Sequence, residues 1–289
     1  MIIDFHTHVF PKSLAERAVE KLAKSARALN YADGTAEGLQ DSMREAGVDY
    51  SLLLPVVTRA GQQEDINRIA VETNARAAET GLLSFGGIHP ENENYREILR
   101  NLAENGVKGI KIHPVFQQVP IDDIRFQRII ACASENDMIV ITHAGYDIGF
   151  PGADQASVSR IVKMLDMVKP EKFVLAHMGG WECWEEVEES IAGRKVWLDT
   201  AFSLLEIEPA PGTQRSAEED PPLSKAQFCR MVRKMGAERI LFGTDSPWSG
   251  QKEMLTVIRE SGLSRTEQDA ILGENAAGLL DIRPVPPKC

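Results

Sequence analysis

The chain has 289 residues, 43% of them hydrophobic, and a net charge of −11 from 32 Lys and Arg against 43 Asp and Glu. An acidic balance with no basic cluster argues against nucleic acid or an anionic membrane as a partner, and no apolar run approaches the roughly 18 residues of a membrane span. MIIDFHTHVF lacks the basic and apolar regions of a secretory signal, and Cys132, Cys183, Cys229 and Cys289 show no CxxC spacing, so the expectation is a cytoplasmic globular protein with reduced thiols.

Taken in chain order, short apolar runs alternate with amphipathic stretches. A first strand is predicted at 2–6, followed by helices at 13–29 and 38–46. Strands at 50–55, 82–88, 107–113, 138–143, 172–177, 195–199 and 239–243 then alternate with helices at 64–79, 94–105, 122–136, 158–168, 182–191 and 225–235. The strands are rich in Ile, Val and Leu with little polar alternation, as in parallel strands buried on both faces. Eight βα units predict a single-domain (β/α)8 barrel, an α/β fold, over 1–289. A doubly wound open sheet is the weaker alternative, because no Gly-rich turn follows the first strand. Residues 201–224 are rich in Pro and acidic groups, and read as a lid over the active face. The tail RPVPPKC reads as a frayed end.

The chain has six histidines: His6, His8, His89, His113, His143 and His177. All fall at the C-terminal ends of predicted strands, and the eighth strand ends in Gly243-Thr244-Asp245. In a closed barrel these ends ring one mouth, where barrel enzymes hold their active sites. His6 and His8 stand two apart on a strand, so both rings can face one ion across the roughly 6.6 Å between their Cα atoms.

Together DFHTHVFP, GIKIHP, THAG, AHMGG, FGTDSPW and the closing ILGENAAGLLDI resemble the amidohydrolase-2 branch of the amidohydrolase superfamily over the full length. That branch includes metal-dependent hydrolases and nonoxidative decarboxylases. The resemblance implies that His6, His8, His143 and Asp245 bind one divalent metal ion and that His177 stands beside it as an acid–base group. Asp245 is placed to accept the proton of a metal-bound water. Imidazoles with one carboxylate suit zinc first, with manganese, iron or nickel as substitutes.

The function expected is hydrolysis of a small ester, lactone or amide. The alternative is decarboxylation of a small carboxylated ring or enoic acid, with Arg59 or Arg215 as the cation for the leaving carboxylate. The partner is a small-molecule substrate, and the resemblance leaves room for a homo-oligomer. Lys111 shares the inward face with His113. It reads either as a carbamate bridging two metals or, preferred here, as an ammonium paired with a carboxylate such as Asp4. His89 and His113 either line the pocket or hold loop backbone. Trp181 and Trp248 either wall the pocket or pack, and Tyr146 and Asp147 are contacts by position alone.

Overall fold

The computed structural model describes residues 1–216 and 218–283; most of the expected frayed tail lies outside them. Among the described residues, eight parallel strands succeed one another: β1 (Ile3–Thr7), β2 (Tyr50–Leu53), β3 (Leu82–Ser84 and Gly86–Gly87), β4 (Gly109–Ile112), β5 (Ile139–Thr142), β6 (Phe173–Leu175), β7 (Trp197–Asp199) and β8 (Ile240–Leu241). The third is continuous in space. Its first segment pairs with β2 and its second with β4, and Phe85 between them donates its N–H to Leu53 O at 3.0 Å.

The ring closes between the first and last strands. Phe5 N donates to Phe242 O at 2.8 Å, Asp245 N to His6 O at 2.8 Å and His8 N to Ser246 O at 2.7 Å, with a parallel bridge from Thr7 to Ser246. Strand order following chain order, with closure, defines a (β/α)8 TIM barrel.

Two layers of apolar side chains follow from strand alternation. Ile3, Phe5, Leu52, Leu54, Phe85, Ile139, Ile141, Val174 and Leu241 fill the barrel. Ala276, Ala277 and Leu280, from the helix Asn275–Leu280, join them at the bottom, where Gly273 lies against Met1 O. Ile110, Ile112, Val140, Phe173, Leu175, Leu198, Ile240 and Phe242 face outward against the helices. The helices predicted at 158–168 and 225–235 are observed at those bounds. The one expected at 64–79 is split into Gln63–Ala75 and Ala77–Thr80. Gln251–Arg259, absent from the sequence reading, closes the seam beside β8.

In β1 the register shifts between Asp4 and Thr7. Ile3 and Phe5 face the barrel interior. Asp4, lying between them, faces the helix layer by ordinary alternation, where it accepts from Thr244 Oγ1 at 2.6 Å, Thr244 N at 3.0 Å and Gln251 Nε2 at 2.8 Å. The expected pairing of Asp4 with Lys111 is therefore corrected: Asp4 locks the seam, and Lys111 lies inside. No helix among the described residues is long and apolar enough to cross a membrane.

Candidate active site at the barrel mouth

The strand ends bring His6, His8 and Asp245 together. His6 Nε2 lies 3.2 Å from His8 Nε2 and 3.3 Å from Asp245 Oδ1, and His8 Nε2 lies 2.9 Å from the same oxygen. Gly243 makes room for this approach, since a Cβ there would stand 2.9 Å from His6 Cβ. Asp245 adopts φ 65, a left-handed conformation that a non-glycine residue holds only when its surroundings fix it.

Hydrogen-bond partners assign the ring protons, because a neutral imidazole carries one. His8 Nδ1 faces Leu54 O at 2.8 Å, and His6 Nδ1 faces Asp199 Oδ2 at 2.8 Å. Both Nδ1 atoms must therefore donate, and both Nε2 atoms present lone pairs. Burial holds His6 well below its usual pKa, with Lys111 adding to the effect. Two imidazole lone pairs and a carboxylate oxygen thus crowd one point. Burial pushes the Asp245 carboxyl up, but its surroundings at His8, His6 and His177 hold it down at about 2, so it stands as a carboxylate. A donor set of this kind repels itself unless a cation joins it, so it fits a divalent metal.

His143 is not part of that triad. Its Nε2 faces Tyr146 O at 3.0 Å and so donates, leaving Nδ1 as a lone pair 3.1 Å from His177 Nε2. His177 Nδ1 in turn donates to Ala201 O at 3.0 Å, so its Nε2 is also a lone pair. The rings of His6 and His177 are 5.4 Å apart between centroids, which sets this second pair beside the first cluster. His177 stands in an irregular turn with Met178 and Gly179, all at positive φ (58, 53 and 87). Trp184 Nε1 braces the turn by donating to His177 O at 3.1 Å.

Lys111 is buried, its Nζ 3.4 Å from His6 Nε2. Burial pushes its pKa down to about 8, against the pull of Asp199 and Asp245. Among the described residues no carboxylate stands within ion-pair distance of it.

A further grouping joins His113, His143 and Asp147. His113 is stacked between Phe116 and His143, with centroids 4.0 and 4.3 Å away. Its Nδ1 accepts from Phe116 N at 3.3 Å, so the proton sits on Nε2, 3.7 Å from Asp147 Oδ2. His143 Nε2, also protonated, lies 3.9 Å from the same oxygen. Burial raises the Asp147 carboxyl.

The remaining candidates divide. His89 Nδ1 accepts from Glu91 N at 3.3 Å and holds its own loop. Trp181 is buried, its ring 6.0 Å from Phe202, while Trp248 is half-buried behind Asp245. Tyr146 and Phe150 are exposed at the mouth. Arg215 is paired with Asp220, and Arg59 is exposed. The segment 201–224 begins at the mouth but is tied to residues 27–31: Leu29 N donates to Glu208 O at 2.7 Å and Arg27 Nη2 to Glu219 Oε2 at 2.7 Å. Asp199, unassigned in the sequence reading, is the fully buried partner of His6. Its signal was its place at a strand end facing the mouth.

A barrel whose mouth gathers imidazoles, a carboxylate and a buried lysine defines a class of metal-dependent barrel enzymes. A family model described as Amidohydrolase matches residues 3–282, and the chain belongs to that amidohydrolase-2 family as an enzyme, either hydrolase or carboxy-lyase. No protein of curated function matches it by sequence.

Solved structures share the fold. 5-Carboxyvanillate decarboxylase from Sphingomonas paucimobilis is 17% identical, with 98% of this chain and 99% of that one covered and a TM-score of 0.65. Dihydroxybenzoic acid decarboxylase from a Polaromonas species, with bound manganese and the inhibitor 2-nitroresorcinol, is 14% identical, with 98% of each chain covered and a TM-score of 0.70. An uncharacterised TIM-barrel protein from Bordetella bronchiseptica is 17% identical, with 97% and 98% covered and a TM-score of 0.71.

Proposed function

We propose that the protein is a carboxy-lyase that removes carbon dioxide from a small planar carboxylic acid, an aromatic or enoic one, at a single divalent metal. The observation that carries this reading is Lys111: a buried lysine without a carboxylate partner among the described residues, beside a cluster that itself calls for a cation. A divalent cation and a buried lysine in one mouth suit an anionic substrate. The stacked His113 and Phe116, with Phe150 beyond them, offer a flat wall for a ring. The decarboxylases that share the fold are consistent with it.

His6, His8 and Asp245 would hold the metal through the atoms that converge, with His177 Nε2 and His143 Nδ1 as further lone pairs beside them. The metal supplies charge to orient and polarise the substrate; zinc or manganese suits the donor set. Lys111 receives the carboxylate. His177 Nε2, a lone pair in the resting site, would take a proton from solvent and pass it to the carbon from which carbon dioxide departs, where it captures the bonding pair left behind. The aromatic wall keeps the ring planar to the breaking bond and excludes water.

Hydrolysis of an ester, lactone or amide is the second reading. Asp245 meets the cluster through Oδ1 alone, which leaves Oδ2 to take a proton from water. The test is a panel of hydroxylated benzoates, enoic acids, esters, lactones and amides offered to the metal-loaded protein. Carbon dioxide release from an acid supports the first reading, and turnover confined to esters, lactones or amides overturns it.

A further inference from the structure

We infer that Asp199 is the positioning residue that sets the tautomer of His6, and thereby sets how tightly the mouth can hold a metal. The inference rests on the ligand role proposed for His6, but not on the choice between decarboxylation and hydrolysis. Asp199 ends β7 and is fully buried. Its Oδ2 takes the Nδ1 proton of His6 at 2.8 Å, and its Oδ1 accepts from His177 N at 2.9 Å and Ala201 N at 3.0 Å. One carboxylate therefore fixes the ring of a ligand and the backbone beneath the proposed proton carrier.

The alternative tautomer has a ready partner. With its proton on Nε2, His6 would point that N–H at Asp245 Oδ1, 3.3 Å away, and at His8 Nε2, 3.2 Å away. It would satisfy the carboxylate with its own hydrogen and remove two lone-pair donors from the cluster at once. A free histidine favours the Nε2 proton. Asp199 reverses that preference by accepting at Nδ1, the role that carboxylate partners of metal-bound histidines generally play.

Asp199→Asn separates the two tasks with almost no change of shape. The two backbone donors keep the amide oxygen where Oδ1 stood, because turning the amide round would oppose NH2 to two N–H groups. The NH2 then faces His6 Nδ1, which has to accept, and the ring proton moves to Nε2. Zinc affinity, read by competition with a chromogenic chelator, should fall about 10- to 100-fold, with far-ultraviolet circular dichroism unchanged. Long-range 15N–1H spectra of metal-stripped protein should show His6 protonated at Nδ1 in the wild type and at Nε2 in the variant. A role confined to holding the fold would leave the tautomer where it was.

Wild-type zinc affinity in Asp199→Asn, or an unmoved His6 tautomer, overturns the inference. If the variant does not fold, the wild-type spectrum decides, since an Nε2 proton on His6 there is equally fatal. His6→Ala distinguishes the two levels. Zinc lost in His6→Ala but retained in Asp199→Asn defeats only this inference, whereas zinc retained in both defeats the ligand assignment beneath it.

Discussion

Two groups of imidazole and carboxylate share the barrel mouth and present opposite chemistry. Around Asp245, His6 and His8 direct bare nitrogen lone pairs, because Asp199 and Leu54 O hold their protons on the far side of each ring. Around Asp147, His113 and His143 direct N–H groups, because Phe116 N and Tyr146 O fix the opposite arrangement. The same residue types thus present lone pairs, as a cation would need, in one place and N–H groups in the other. Composition and spacing do not separate them; the outer hydrogen-bond partners do.

The sharpest way to break this contrast is to change one residue in each group. His8→Ala should abolish stoichiometric metal by elemental analysis while circular dichroism shows an intact fold, and Asp147→Asn should keep its metal. Equal retention, or equal loss, would erase the distinction. His177 lies between the two groups. His177→Asn should retain metal and lose roughly a hundredfold or more in kcat, the scale of a missing acid–base group, measured on whichever substrate the panel identifies.

Lys111→Met keeps the length of the side chain and removes the charge. It should raise KM for a carboxylate substrate about tenfold or more while metal content stays at the wild-type level; an unchanged KM would take the carboxylate away from Lys111. The smallest effect is expected in the second group. His113→Phe preserves the stack on Phe116 but deletes the N–H, which is worth about 1 kcal/mol, or roughly fivefold in KM, for one neutral hydrogen bond. A change in metal affinity instead would put His113 on the wrong side of the comparison.

Much of this was legible in the sequence. The eight Val-, Ile- and Leu-rich runs announced buried parallel strands, and six histidines at strand ends announced a mouth, because both signals are periodic and local. What stayed hidden depends on contacts between distant segments. That Asp4 meets Thr244 and Gln251 instead of Lys111 depends on how the segment after β8 packs against β1. Asp199 looked like an ordinary strand end because its meaning lies in His6, on the opposite side of the chain. Nor could spacing tell that His143 offers Nδ1 toward His177 instead of joining the triad, since that follows from the carbonyl of Tyr146. Arg215 shows the reverse case, a charge that looked available and is taken up by Asp220.

The closure between β1 and β8 has a consequence for how the protein is made. The triad draws His6 and His8 from the first strand and Asp245 from the turn after the last, across the one seam that joins the two ends of the barrel. A growing chain therefore carries two of its three converging ligands from the start and cannot complete the set until the eighth unit has emerged and docked. Contacts between such distant segments form late, after their loop-closure entropy has been met. On the ligand role proposed for the triad, metal uptake reports that the ring is finished: nascent chains stopped short of β8 should hold no tight ion, and a metal added during refolding should bind in step with the last event of assembly and not the first.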